Sequence, residues 1–188
     1  MSGPASAESS KREVQHNMGE IVPIKPDAEA EWENGWRVRQ AAHSDVAAVA
    51  LAVSELLLEL GGKPAPIAAL EVPVRALIDD RGAGLVLVAE SEADGEIIGV
   101  LGVSWQIAIR IPGRYGLIQE LWVDPAWRYR TIGGDLVEAL CVLASRHGIG
   151  RIEVGLPGER FPHHAATESF YANNGFSAIG LRMKRLCR

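Results

Sequence analysis

The stretch VDPAWRYRTIGGDLVEAL, residues 123–140, concentrates the residue types that bind charge. An apolar run stops at Val123-Asp124-Pro125; Arg128, Tyr129, Arg130, Thr131, Ile132, Gly133 and Gly134 follow, and a helical pattern begins at once. A helix start leaves backbone N–H groups without intrahelical partners. Those donors and the helix macrodipole favour an anion, phosphate above all. Successive turn amides can form an anion nest, Arg128 and Arg130 add full charge, and two glycines let a ligand approach the backbone closely. A simpler reading competes: the glycines serve only close helix–sheet packing, and the arginines are solvated. The motif is not a Walker A loop, because Gly-x-x-x-x-Gly-Lys-Ser/Thr is absent. It is not a dinucleotide fingerprint, because Gly-x-Gly-x-x-Gly is absent.

A second cluster lies downstream. Ala166-Thr167-Glu168-Ser169-Phe170-Tyr171 leads into Ala172-Asn173-Asn174-Gly175-Phe176, which places a phenol on a short helix just before a Gly-Phe turn. Glu120 is the suitable carboxylate near the end of the preceding strand, and Gln119 beside it is sent to the opposite face by strand alternation. For Glu120 the competing reading is an exposed strand residue or a substrate-positioning charge; for Tyr171 it is a ring capping the core with its hydroxyl in water. His163-His164 lacks carboxylate or Cys partners at metal spacing, so no metal site is expected. Trp105, Tyr115 and Trp122 read as core residues on strands, and Glu59 and Asp79-Asp80 as solvated helix ends.

These residues need elements to position them. Trp36–Gln40 alternates as a short strand. Ser44 fits an N-cap with Asp45 in the first turn, ahead of a broad apolar helix face from Val46 to Leu60 that Gly61-Gly62 stops. A second helix ends near Ile78, with Pro73 in its first turn or kinking it. Leu85–Ala89 and Ile97–Trp105 are strands joined at Glu92-Ala93-Asp94-Gly95. Pro112-Gly113 supplies the turn before a strand over Tyr115–Val123. A helix over Ile132–His147, a strand over Ile152–Leu156, a helix over Ala165–Asn173 and a strand over Phe176–Leu186 complete the chain. The order implies a mixed α/β sheet of six or seven strands, antiparallel in its central meander, with about four helices.

The sequence has 188 residues, 47% hydrophobic and 23% charged, which suits one domain. Residues 1–31 read as a disordered or loosely docked extension and 32–188 as the folded domain. A net charge of −5 argues against broad nucleic-acid affinity. No apolar run reaches membrane-spanning length, the N-terminus has no apolar signal core, and isolated Cys141 and Cys187 fit a reduced, cytoplasmic setting.

Val-x-Pro-x-x-Arg-x-x-x-Ile-Gly after a strand, followed about forty residues on by Phe-Tyr-x-x-x-Gly-Phe, resembles the GNAT superfamily of N-acetyltransferases. The resemblance covers residues 36–186. It implies a bulge in the strand carrying Leu121–Val123, which splays from the strand at Ile152–Leu156, acetyl-CoA as donor substrate and a primary amine, of a small molecule by mild preference, as acceptor, with direct attack through a tetrahedral intermediate. It places the coenzyme diphosphate on the amides of residues 129–134 beside Arg128, and the pantetheine along Leu121, Trp122 and Val123. A backbone N–H near Val123 would serve the oxyanion, Tyr171 would protonate the leaving thiolate, and Glu120 would take the amine's proton. Thr131 departs from the family's Gln/Arg-x-x-Gly-x-Gly/Ala pattern, standing where the first Gly is expected; its branched side chain either crowds the phosphates or offers them a hydroxyl. His164 stands where the family often carries Asn near the coenzyme. The alternatives are a non-catalytic acyl-CoA-binding sensor or structural module, and an acetyltransferase of proteins or peptides. Expected partners are the small-molecule amine and, as an option, a second copy in a homodimer, with no nucleic acid, membrane or metal.

Overall fold

The computed structural model describes residues 34–63 and 65–180. Five strands form one sheet in the order β1 (Trp36–Gln40), β2 (Gly84–Ser91), β3 (Ile97–Ala108), β4 (Ile111–Val123) and β5 (Ile152–Val154). The first four are an antiparallel meander and β5 joins β4 in parallel. The helices are α1 (Val46–Glu59), α2 (Ile67–Asp79), α3 (Ile132–Arg146) and α4 (His164–Asn173).

Pleat alternation sorts the core. From β2, Leu85, Leu87 and Ala89 join Ile132, Leu136 and Leu140 of α3 in one cluster. Val86 and Val88 face the other way and pack with Val46, Val49 and Ala52 of α1 and Val74 of α2. Helices thus cover both faces, which is why β2 and β3 read as near-continuous apolar runs. The α3 contribution recurs at the three- and four-residue spacing of one helical stripe.

Several expectations change in detail. The sheet has five strands among the described residues, because Phe176–Gly180 carries no strand pairing and the rest of the expected last strand, like the N-terminal extension, lies outside the described residues. Pro112-Gly113 is not the turn. Ala108 pairs with Ile111, so residues 109–110 make the hairpin tip, and Pro112 and Gly113 lie inside β4 where Gly113 takes φ +87°. Ser44 is not the N-cap: a 3₁₀ turn over His43–Asp45 precedes α1, and the Asp45 carboxylate accepts the Ala42 N–H at 2.7 Å. Pro73 sits in the middle of α2 and denies the Ala69 carbonyl its helical donor.

The site depends on two irregularities of β4. Gly102 pairs with Glu120 but Val103 pairs with Ile118, so Gln119 is an extra residue, a β-bulge. Pairing with β5 covers only Gly116 to Ile118. From Gln119 onward the two strands part, as the resemblance implies.

Candidate functional site

The parting of β4 and β5 opens a cavity of about 720 Å³ between the sheet, the end of α1, the N-terminus of α3 and α4. The β4 edge that borders it carries usable backbone groups. Asp124 N–H donates to the Ile98 carbonyl at 2.9 Å. The alternation of an antiparallel ladder then turns the N–H and C=O groups of Val123 and Leu121 away from β3, toward the open side. Leu121, Trp122 and Val123 all line the cavity.

The loop into α3 brings further donors to the same space. Thr131 adopts φ +65° and Tyr129 φ +64°, a left-handed conformation that favours glycine and strains a branched side chain. The Thr131 hydroxyl donates to Asp135 Oδ2 at 3.2 Å, turned along its own helix. The first amide of α3 returns to the Arg130 carbonyl, and the ladder resumes only at Asp135, which donates to Thr131. Between them the Gly133 and Gly134 amides have no backbone acceptor among the described residues, as a helix start dictates.

The two glycines allow the close packing that the simpler reading of the motif expects. A Cβ on Gly133 would lie 3.1 Å from the Phe170 ring, and one on Gly134 would lie 3.2 Å from Asn174 Oδ1. They let α3 press against α4 and also bare the amides. Gly133→Val is therefore expected to overpack this contact and cost about 1–3 kcal/mol, read as a lowered urea midpoint. It should also displace Phe170 and, with it, neighbouring Tyr171.

The two arginines differ. Arg128 donates through Nε to the Val123 carbonyl at 2.9 Å and pairs with Glu59 at 2.5 Å. Glu59 is thus no solvated helix end: it ties the end of α1 to the loop, and both residues line the cavity. Arg130 stacks over Trp127, with its guanidinium carbon 4.8 Å from the ring centroid. Both arginines, Tyr129, Thr131 and Ile132 line the cavity.

Tyr171 lines the cavity from α4 with 7% of its surface exposed. Its ring is held edge-on between Phe170 and Phe176, at 5.1 and 5.2 Å. Burial pushes its phenol up to about 12. Burial likewise pushes the Glu120 carboxyl up to about 7, and no cation pairs with it among the described residues. Its carboxylate lies over Gly102: a Cβ there would stand 2.4 Å from Glu120 Oε2. Gly102 is a site residue that sequence reasoning missed, although an isolated Gly in a strand signals a close approach.

Gln119 does not face away from Glu120. Its amide donates to Ser104 Oγ at 2.8 Å. Ser104 lies two residues from Gly102 on β3, hence on the face over which Glu120 sits. The bulge interrupts alternation and turns both side chains to one side.

His164 stands apart from the cavity wall; its Nδ1 lies 2.8 Å from the Pro157 carbonyl, so it braces the loop after β5 against α4. His163 lines the cavity instead. Among the described residues no group of three His, Cys, Asp or Glu side chains could hold a metal ion, and no helix is long and apolar enough to cross a membrane.

The family profile described as acetyltransferase (GNAT) domain matches residues 82–178. A possible acetyltransferase from Clostridium difficile 630 superposes with a TM-score of 0.68 at 19% identity, covering 81% of this chain and 97% of that one. The aminoglycoside antibiotic 6′-N-acetyltransferase from Acinetobacter haemolyticus gives 0.65 at 14%, covering 81% and 98%. AAC(6′)-Iy, in complex with the bisubstrate analogue CoA-S-monomethyl-acetylneamine, gives 0.66 at 14%, also covering 81% and 98%. At these identities the structures speak to the fold. No curated protein sequence matches the chain.

Proposed function

The chain belongs to the GNAT family of acetyltransferases, and from that premise we propose that it moves an acetyl group from acetyl-coenzyme A to a primary amine of a small molecule. The observation that carries this reading is the meeting, in one cavity, of bare α3 amides, a β4 edge that β5 leaves without a strand partner and the Tyr171 phenol. The coenzyme, when bound, supplies an activated acetyl thioester. The residues present fit it. Gly133 and Gly134 bare the backbone for a diphosphate, with Arg128 beside them at the helix N-terminus. The outward N–H and C=O of Leu121 and the outward N–H of Val123 suit a peptide-like pantetheine arm added as a strand. The Val123 N–H, turned away from β3, would donate to the thioester oxygen as it gathers charge. Tyr171 holds a proton for the departing sulfur, and Glu120 receives the proton that the amine gives up.

The two aminoglycoside-related neighbours favour a small acceptor.

A thermal-shift titration tests the coenzyme half of the reading. At a hundred times its Kd, acetyl-coenzyme A stabilises by about 2.7 kcal/mol, a rise of about 5–11 °C for a domain of this size; ATP should give none. Absence of a shift at millimolar coenzyme would mean that strained Thr131 closes the cradle. A shift without thiol release for any amine would favour a coenzyme-binding module instead.

A further inference from the structure

On the α1–α2 face of the sheet, beside Glu120, runs a row of uncharged polar side chains that the reaction does not use. Gln106 Nε2 donates to Ser104 Oγ at 2.9 Å, and Gln119 Nε2 donates to the same oxygen at 2.8 Å. Ser104 and Gln106 are half-buried, and Gln119 is exposed on the cavity wall. Their placement is a consequence of the bulge. Without the extra residue in β4, Gln119 would point to the α3 side. With it, Gln106, Ser104, Gln119 and the Glu120 carboxylate share one face, Glu120 lying over Gly102 at the next pleat from Ser104.

We propose that this row is the acceptor-recognition subsite and that it selects a primary amine flanked by hydroxyl groups. The proposal rests on the amine-acetylation reading and adds the substrate's chemistry. Ser104 Oγ, by accepting both amide N–H groups, fixes the two glutamines, whose carbonyl oxygens have no hydrogen-bond partner among the described residues; Gln119 brings the row to the cavity wall. Each amide keeps a second N–H, and Ser104 keeps its own O–H. The row therefore offers donors and acceptors in alternation. A hydroxyl, which donates and accepts, satisfies both. A second ammonium only donates and would leave the Ser104 O–H and the amide N–H groups unmatched. A plain alkyl chain would leave every one of them without a partner, which a desolvated site penalises. Glu120, the carboxylate in the row, marks where the reacting ammonium docks.

The test is a matched pair on one carbon skeleton, 2-aminopropane-1,3-diol against propan-2-amine. Thiol release gives kcat/KM for each, and calorimetry gives their Kd values for the protein saturated with coenzyme A. The wild type should prefer the diol by about tenfold or more, the scale of one or two neutral hydrogen bonds, with the difference in KM rather than kcat. Gln119→Leu and Ser104→Ala should each bring the ratio toward one, Ser104→Ala through release of the glutamines. Equal wild-type Kd values, or a preference that survives Gln119→Leu, would overturn the proposal. If neither amine is acetylated, the calorimetric ratio still decides whether the subsite reads hydroxyls, while thiol release across other amines decides the acetyl-transfer reading separately.

Discussion

Tyr171→Phe is expected to lower kcat about 10²-fold while leaving the Kd for acetyl-coenzyme A within about twofold. The size follows from how a positioned acid works. General acid catalysis contributes about 10²–10⁴-fold, and Tyr171 belongs at the lower end. Burial holds its phenol up near 12, above an ordinary thiol near 8.5, so full proton transfer to a solvated thiolate would run uphill. In the cavity the thiolate is desolvated as well, which raises its own proton affinity. What Tyr171 supplies is an O–H aimed at charge developing on sulfur, not a complete transfer. The phenol stays protonated throughout the neutral range, so it should add no falling limb to the rate profile below about pH 10. The substitution keeps the ring between Phe170 and Phe176, so the fold and the α3 amides should be undisturbed. A single-turnover measurement of thiol release, paired with coenzyme calorimetry, separates the two parameters. Unchanged kcat would remove Tyr171 from the acid role, and a large loss of coenzyme affinity would make it a wall of the binding site.

The strand–turn–helix at residues 123–134 and the helix carrying Tyr171 were legible because local pattern carries them: an apolar run, a glycine pair, then an apolar stripe at helical spacing. Their convergence on one cavity followed from the resemblance more than from the residues. The resemblance implies a bulge in this strand, but its position at Gln119 stayed hidden because it is set by pairing between strands. Nothing local to Gln119 announces a bulge; the extra residue exists only relative to β3, where Gly102 and Val103 skip it. Alternation was the right rule applied across a break in register, so it sent Gln119 to the wrong face. Glu59 was misread for a related reason: its partner Arg128 is remote in sequence. The turn at Pro112-Gly113 was misplaced because Pro and Gly are strong turn signals that a strand end also tolerates.

Glu120→Gln should make the protein less active and more stable, and both effects should grow as pH rises. Burial raises the Glu120 carboxyl from 4.5 to about 7. Between those values the folded protein holds a proton that the unfolded chain has released. The stability associated with the neutral form is therefore fully present below about pH 4.5 and is lost as pH rises through 7. Undiluted, the shift would cost about 3 kcal/mol above pH 7. Glu120 keeps part of its surface in water, so about 1–2 kcal/mol is expected. The glutamine variant, always neutral, should unfold about 2–8 °C higher than the wild type at pH 8, and the two should converge near pH 4.5. The rate responds in reverse. An ionised Glu120 accepts the amine's proton, so wild-type kcat/KM should rise with a midpoint near pH 7. The variant should lose that limb and about 10²-fold of its activity at pH 8. Deprotonation of the amine itself also raises the rate with pH, which is why the comparison must be between variants on one acceptor. A wild-type profile that Glu120→Gln leaves unchanged would reduce Glu120 to a charge that orients the acceptor. Equal stability at pH 8 would mean that solvent already reaches the carboxylate over Gly102. Both effects together would show that the fold keeps a carboxyl half-desolvated, at a cost in stability, where a base is useful.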